Sequence, residues 1–421
     1  MNDNFVTTTE ALKAIFKQRY SDFIVEEIYI ENGEEKKCEV KRFNIPFSER
    51  GDFYEMVVPK ENTTENLIVE LEKINTETTR ALQLIARGTS VSHKRIGYAG
   101  LKDKRGITCQ RISLFKPNIE KLQHFGVKGI ELRNPSWGER IELGDLKGNN
   151  FTITLRGIEK SEEEVKSILE KFFSQAQKGL PNYFGNQRFG GKRQVTHKVG
   201  KLLLQEKYKE AIMLYLTETY AEEKVDMKNA RINLSRTLDF ARALKEFPRE
   251  ARQEKAILNV LVKEPNNFTG AFGSLPKKMR YLFVHAYQSY IFNKIIEKRI
   301  DLLKEKWLNE ISGDILEDGV QTALLPGFES TFSEGKSGEI EKKVLDEERM
   351  NFEDFKARGM GEISSKGMRK AIAVKPENFN LIKICDDEFN EGKKAATFSF
   401  FLSKGNYATT IMRELIKEEI F

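Results

Sequence analysis

A single carboxylate stands in a field of cations between residues 94 and 111. Asp103 is the one acid there, against six Lys or Arg residues: Lys94, Arg95, Lys102, Lys104, Arg105 and Arg111. Nearby positive charge favours the ionised form of an Asp, so Asp103 is expected to be an anion, as a nucleophile or general base must be. Small residues, Gly97, Ala99, Gly100 and Gly106, bracket it in the run RIGYAGLKDKRGITCQRISL. Such a run suits an active-site loop, and equally a turn whose Asp caps the backbone. A second basic stretch, Arg188 to Lys209, holds seven cations and one acid, Glu206. Either stretch alone reads as a solvated face. Two of them beside Gly-rich, aromatic loops point to a phosphate backbone.

The other chemistry-bearing residues are scattered. Cys38, Cys109 and Cys385 form no CxxC pair, which argues against a disulfide framework and a structural zinc site. His93, His124, His197 and His285 are equally dispersed and read as ordinary core or surface residues, so no metal is expected. No Gly-rich loop follows a strand and opens a helix in the manner of a SAM-dependent methyltransferase. Carboxylate attack on an anomeric carbon is also glycosidase chemistry, which needs a second carboxylic acid. None adjoins Asp103, although Glu26 or Glu27 could approach it in space.

These residues need elements to hold them. A chain of 421 residues, 39% hydrophobic, is long enough for two or three domains. The net charge of +6 is compatible with almost any partner. No apolar run reaches 18 residues, and the start MNDNFVTTTEALK lacks the order of a secretion signal, so a soluble, cytoplasmic protein is expected. Strands are predicted over Asp22–Ile30, Phe53–Val58 and Gly148–Ile158. A helix is predicted where Asn62 and Glu65 resemble a capping box ahead of Leu67, Ile68, Leu71 and Ile74. Another is predicted where Ser161 and Glu164 cap the stripe Val165, Ile168, Leu169, Phe172 and Ala176, ended by Gly179. From about residue 205 the pattern changes to charged amphipathic helices, around 208–215, 238–244 and 279–300. Loop signals crowd 325–367, and a strand (397–402) and a closing helix with Ile411, Met412, Leu415 and Ile416 follow. Mixed material at both ends of a helical middle suggests an insertion.

The run YAGLKDKRGITCQ is very similar to the signature loop of TruD-type pseudouridine synthases. Further segments match the same family in the same order: FKQRYSDFIVEE, GDLKGNNFTI, PNYFGNQRFGG at 181–191, AYQSYIFN at 286–293 and FFLSKGNYATTIMREL at 400–415. The chain thus resembles an archaeal-like tRNA pseudouridine 13 synthase. The resemblance implies an α+β fold, with a catalytic domain built on a mixed, mainly antiparallel sheet over residues 1–205 and 375–421. It also implies an inserted helix-rich TRUD-type RNA-binding domain over 206–374. The implied reaction converts uridine to pseudouridine in tRNA, usually U13 of the D-arm, with no cofactor and no metal.

Carried over residue by residue, the family's catalytic Asp falls on Asp103 and its active-site Lys on Lys17, with Lys13 and Arg19 close by. Asn182 is expected to hydrogen-bond the Asp loop and Phe184 to pack against the target base. A second aromatic falls on Phe400, with Phe398 and Phe401 as competitors. Arg188, Lys192 and Arg193 lead as phosphate binders, followed by Lys102 and Lys104. The first step is left open between attack on C1′ and removal of a C2′ proton. The expected partner is tRNA, with no membrane and no obligatory protein partner, and the expected state is a monomer. A non-catalytic RNA-binding relative would keep the cations and aromatics but would have no need of Asp103.

Overall fold

The computed structural model describes residues 5–44, 56–60, 64–317 and 319–418. They divide into two units. One comprises residues 7–179 and 375–417, and the other residues 180–374 with Phe5–Val6 and Glu418.

The first unit is built on one sheet. Its strands are β1 (Phe23–Glu31), β2 (Glu34–Lys37), β3 (Asn66–Ile74), β4 (Ile96–Tyr98), β5 (Ile107–Phe115), β6 (Ile130–Gly138), β7 (Gly148–Ile158), β8 (Glu377–Asp386) and β9 (Lys394–Ser403). The spatial order is β8-β9-β7-β1-β5-β3-β6, with β2 beside β1 and β4 beside β5. β1 and β5 run parallel and the other pairs antiparallel, the mixed, mainly antiparallel sheet that the resemblance implies. Helices α1 (Thr78–Thr89), α2 (Ile119–Gln123), α3 (Glu162–Ala176) and α4 (Ala408–Ile416) complete this unit.

Residues paired across a ladder share a face of the sheet. Phe23, Val25 and Glu27 of β1 therefore point the same way as Thr108 and Gln110 of β5, Leu71 and Lys73 of β3, and Asn149 and Phe151 of β7. Phe398 and Phe400 of β9 join them. α1 covers the β3–β5 end of this face through Ala81, Leu82 and Ile85. α3 covers β9 through Phe173, whose ring lies 5.5 Å from both Phe398 and Phe400. The middle of the same face carries a polar strip, Glu27, Thr108, Gln110 and Lys73, in an otherwise apolar surface.

α3 forms where its caps predict. Ser161 Oγ accepts from Glu164 N and Glu164 Oε2 accepts from Ser161 N, while Val165, Leu169 and Phe172 are fully buried. The helix expected over Leu67–Ile74 is instead the strand β3. Leu67, Val69 and Leu71 alternate inward, pairing with β5 on one side and β6 on the other. Its Glu72, which makes the segment look amphipathic, is fully buried and accepts from the backbone N–H groups of Lys41, Arg42 and Phe43. Asn62, the proposed cap, lies outside the described residues, as do Phe53–Glu55 of the expected strand, and Met56–Val58 form none.

The second unit is helix-rich, as the resemblance implies. Its longest helix, Lys277–Leu303, buries Phe283, Tyr287, Ile291 and Phe292. Small antiparallel sheets join Val320–Leu325 to Met368–Ala371 and Ile315–Glu317, and Leu180–Pro181 to Ala373–Val374. The boundary differs from the one expected at 205, because residues 180–205 belong to this unit. Helix Thr196–Leu204 lies so close to Lys277–Leu303 that a Cβ on Gly200 would meet Phe283 O at 2.0 Å. Only glycine permits that approach, and the contact ties the segment to the helical core. The stretch 325–367, expected as loop, contains helix Gly335–Glu347, which buries Ile340, Val344 and Leu345.

The same core sets one pH dependence. The His197 ring stacks on Tyr290 at 4.8 Å, its edge meets Phe189 at 5.2 Å, and its Nδ1 has no hydrogen-bond partner among the described residues. Burial, helped by Lys198, pushes its pKa down to about 4. The unfolded chain, with a His pKa near 6.5, then binds more protons than the folded one as pH falls through this window. Between about pH 7 and pH 5 the protein is expected to lose roughly 2 kcal/mol of stability from this residue. Urea unfolding at the two pH values checks it: His197→Gln removes that part of the loss.

Candidate active site

Asp103 lies in the loop between β4 and β5, and the sheet beneath grips that loop by its backbone. Lys73 Nζ donates to the carbonyls of Asp103 (2.8 Å) and Lys102 (3.5 Å). Thr78 Oγ1 accepts from Lys102 N (3.0 Å) and donates to Lys102 O (3.2 Å). Gln110 Nε2 donates to Gly100 O (3.0 Å). At the far end of the loop a Cβ on Gly106 would meet Phe23 O at 2.5 Å, so glycine lets the loop descend onto β1. The Asp103 side chain is left 42% exposed.

Lys17 reaches the same carboxylate from before β1. Its Nζ donates to Asp103 Oδ1 at 3.2 Å and lies 3.5 Å from the centre of the Phe23 ring. Burial lowers the Lys17 pKa and the Arg105 charge adds to this, while Asp103 opposes both. Its φ is +56°, a backbone state that costs a non-glycine residue about 1–2 kcal/mol. Neighbours over-determine it: Arg105 Nε donates to Lys17 O at 3.0 Å, and Ile15 bridges to Arg156 through two backbone bonds. Strain held in this way is characteristic of functional positions. Lys13 and Arg19 do not take this place among the ion pairs of Asp103.

A cleft of about 420 Å³ opens in front of the carboxylate. Its floor is Phe23, Val25, Phe151 and Asn149, and its walls are Gly100–Asp103 and residues 404–409. Among the described residues Asn149 Oδ1 is buried without a hydrogen-bond partner, an open acceptor at the floor. Phe400 stands on the same face but is fully buried, stacked on Phe151 at 5.7 Å. The aromatic surface in the cleft is thus Phe151 and Phe23 on the floor and Tyr407 on the wall, with Phe400 behind Phe151. Phe398 is likewise fully buried, and Phe401, one residue on, points to the opposite face.

The predicted phosphate binders separate. Lys104 is exposed. Lys102 is not available: its Nζ pairs at 2.8 Å with Glu27, both side chains being almost completely buried. The reason is the inward turn of the loop at 102, which sends the side chain under the loop and leaves Asp103 outside.

The other predicted residues belong to the helical unit. Asn182 is buried there, its N donating to Ile372 O and its Nδ2 to Ala371 O. Phe184 is half-buried. Its N donates to Asn293 Oδ1 (2.9 Å), and Asn293 Nδ2 donates to its carbonyl (3.0 Å). Arg188 lies over the Phe184 ring at 5.6 Å and donates to Ser289 Oγ, while Lys370 Nζ lies over the ring at 5.4 Å. Burial pushes the Lys370 pKa down to about 8. Lys192 is exposed beside Glu222. Arg193, expected to face RNA, turns inward and donates to the carbonyls of Leu214, Tyr215 and Glu218 at the end of helix Tyr208–Thr217. The carbonyls of a helix's last turn lack a full set of helical partners; at Tyr215 O, Arg193 and Arg231 both donate.

Several residues escaped the sequence reading: Lys73, Gln110, Asn149, Phe151, Asn293, Ser289 and Lys370; Glu27, read as a carboxylate that could approach Asp103, pairs with Lys102 instead. Asn149 and Phe151 lie in the matched segment GDLKGNNFTI, and Ser289 and Asn293 in AYQSYIFN, so their segments were visible while their roles were not. Among the described residues no group of three or more His, Cys, Asp or Glu could hold a metal ion, and no helix is long and apolar enough to cross a membrane.

Known proteins are similar to this chain along nearly its whole length. The family model described as tRNA pseudouridine synthase D (TruD) matches residues 2–322 and 317–415. A relative from Methanosarcina barkeri, named "Probable tRNA pseudouridine synthase D", is 37% identical over 98% of this chain and 95% of its own. One of the same name from Thermococcus sibiricus is 33% identical over 86% of this chain and 92% of its own. A crystal structure from Methanosarcina mazei, described as a "Putative tRNA pseudouridine synthase D (TruD)", superposes with a TM-score of 0.77 at 36% identity, covering 99% of this chain and 96% of that one. The chain belongs to the tRNA pseudouridine synthase D (TruD) family.

Proposed function

We propose that the protein isomerises uridine to pseudouridine in tRNA, at U13 of the D-arm, with Asp103 as the nucleophile. The observation that carries this reading is the Asp103–Lys17 pair at 3.2 Å at the mouth of an aromatic-floored cleft. In the reaction the N1–C1′ bond breaks and a C5–C1′ bond forms, the C5 proton leaves to water and N1 gains one. Asp103 attacks C1′ as N1 departs, and the ester is released when C5 of the turned uracil attacks the same carbon. Lys17, held by its own backbone, keeps the carboxylate aimed. Expelling water from around the pair strengthens their interaction.

The target base must leave its stack, which costs a few kcal/mol. Stacking on an aromatic returns about 1–3 kcal/mol per base. The Phe184 ring, with Arg188 and Lys370 over it, is the surface we assign to an unstacked base. Exposed Lys104 and Lys192 are the phosphate contacts that fit best, in place of Lys102 and Arg193.

The test of the position is a D-arm-containing tRNA transcript, incubated with the protein and read at nucleotide resolution for pseudouridine. Modification at U13, absent from a U13-to-C transcript, is the expected outcome. Modification confined to another uridine contradicts the assignment.

A further inference from the structure

A buried charge lies directly beneath the nucleophile, outside the mechanism so far described. Lys73 projects from β3 onto the polar strip of the sheet and is 1% exposed. Its Nζ makes no ion pair among the described residues. Its acceptors are the carbonyl oxygens of Asp103, at 2.8 Å, and Lys102, at 3.5 Å. On the strands beside it the register pairs it with Thr108 of β5 and Ile130 of β6, neither of them charged.

Burying an unpaired ammonium costs several kcal/mol. A loop that needed only a clamp could take a neutral donor, as Thr78 and Gln110 already supply for Lys102 and Gly100. The charge itself is therefore part of what this position provides. We propose that Lys73 is a positioning residue for the reaction, an ammonium that fixes the direction in which the Asp103 carboxylate enters the cleft and holds positive charge behind it. This rests on the reading of Asp103 as the nucleophile.

Three charged groups face Lys73. Asp103 and Glu77 favour its protonated form and Lys102 disfavours it, while burial outweighs them and pushes its pKa down to about 8. The ammonium is present below that pH and is lost as pH rises through it. The rate of the chemical step is expected to fall over the same range, because Asp103 loses the charge behind it.

The experiment measures the single-turnover rate at saturating enzyme, the tRNA dissociation constant, and the rate as a function of pH, for wild type, Lys73→Met and Lys73→Arg. Lys73→Met is expected to bind tRNA within about threefold of wild type and to react roughly tenfold to a hundredfold more slowly. Its rate should no longer fall as pH rises through about 8. A folded Lys73→Met protein within about twofold of the wild-type rate, or one that keeps the wild-type fall with pH, overturns the proposal. Should Lys73→Met not fold, Lys73→Arg decides: a permanently charged side chain should abolish the fall above about pH 8, and its persistence refutes the role. Asp103→Asn is run alongside. Turnover by that variant refutes the nucleophile, whereas an inactive Asp103→Asn beside a fully active Lys73→Met refutes this inference alone.

Discussion

Asp103→Asn is expected to lower turnover by at least about 10⁴-fold while tRNA affinity stays within about threefold, because removing a covalent nucleophile leaves only binding and positioning. The substitution is isosteric, and the carboxamide oxygen can still accept from Lys17. The loop is held through the carbonyls of Asp103 and Lys102 and the amide of Lys102, none of which changes. A loss confined to the chemical step is therefore the signature, read by single-turnover rates with excess enzyme and by filter retention of labelled tRNA. Retention of more than about one per cent of the wild-type rate would assign the carboxylate a lesser role.

The second large effect is on stability. Glu27 is 0% exposed. It accepts from Lys102 Nζ at 2.8 Å and from Arg111 N at 3.3 Å, with the Arg111 guanidinium 3.8 Å away. Glu27→Gln leaves the Lys102 ammonium buried beside a neutral amide, a change that costs about 3–5 kcal/mol when one partner of a buried pair is removed. Glu27→Gln/Lys102→Met removes both charges and is expected to recover most of that loss, since replacing a whole buried pair is often neutral or better. Urea midpoints of wild type, single and double variants give the answer. A single variant as stable as wild type would show that the pair holds nothing. Because Lys102 adjoins Asp103, the single variant should also slow the reaction even below its unfolding range.

How much of this was legible in the sequence depended on how local each feature is. The capping box of α3 and the alternation of β7 involve neighbours within a few residues, and both appear where periodicity places them. The Asp103 loop was legible as a lone acid among cations, but charge counting treated those cations as equivalent. Folding separates them: Lys102 goes under the loop to Glu27, 75 positions away, and Arg105 goes to the backbone of Lys17, 88 positions away. Arg193 is spent on helix carbonyls for the same kind of reason. β3 was misread because its buried Glu72 and Lys73 look like the polar face of a helix. Their partners, the N–H groups of residues 41–43 and the carbonyls of 102–103, are distant in sequence. The same applies to Cys38 and Cys109, which are far apart in the chain yet in contact: burial, and after it the Cys38 thiol, pushes the Cys109 thiol up. The unit boundary moved from 205 to 180 because Gly200 allows helix Thr196–Leu204 to dock on Lys277–Leu303, a close approach that periodicity does not register.

The most direct test follows the uridine C5–H bond, which the isomerisation must break once C5 is joined to C1′. Unmodified tRNA carrying tritium at uridine C5 is mixed with excess wild-type protein, and in parallel with Asp103→Asn, and tritium in the water is counted over time. Release by wild type in step with pseudouridine formation, and none above background by Asp103→Asn, is the predicted result. Binding of the tRNA by wild type without any release, or equal release by both proteins, would contradict it.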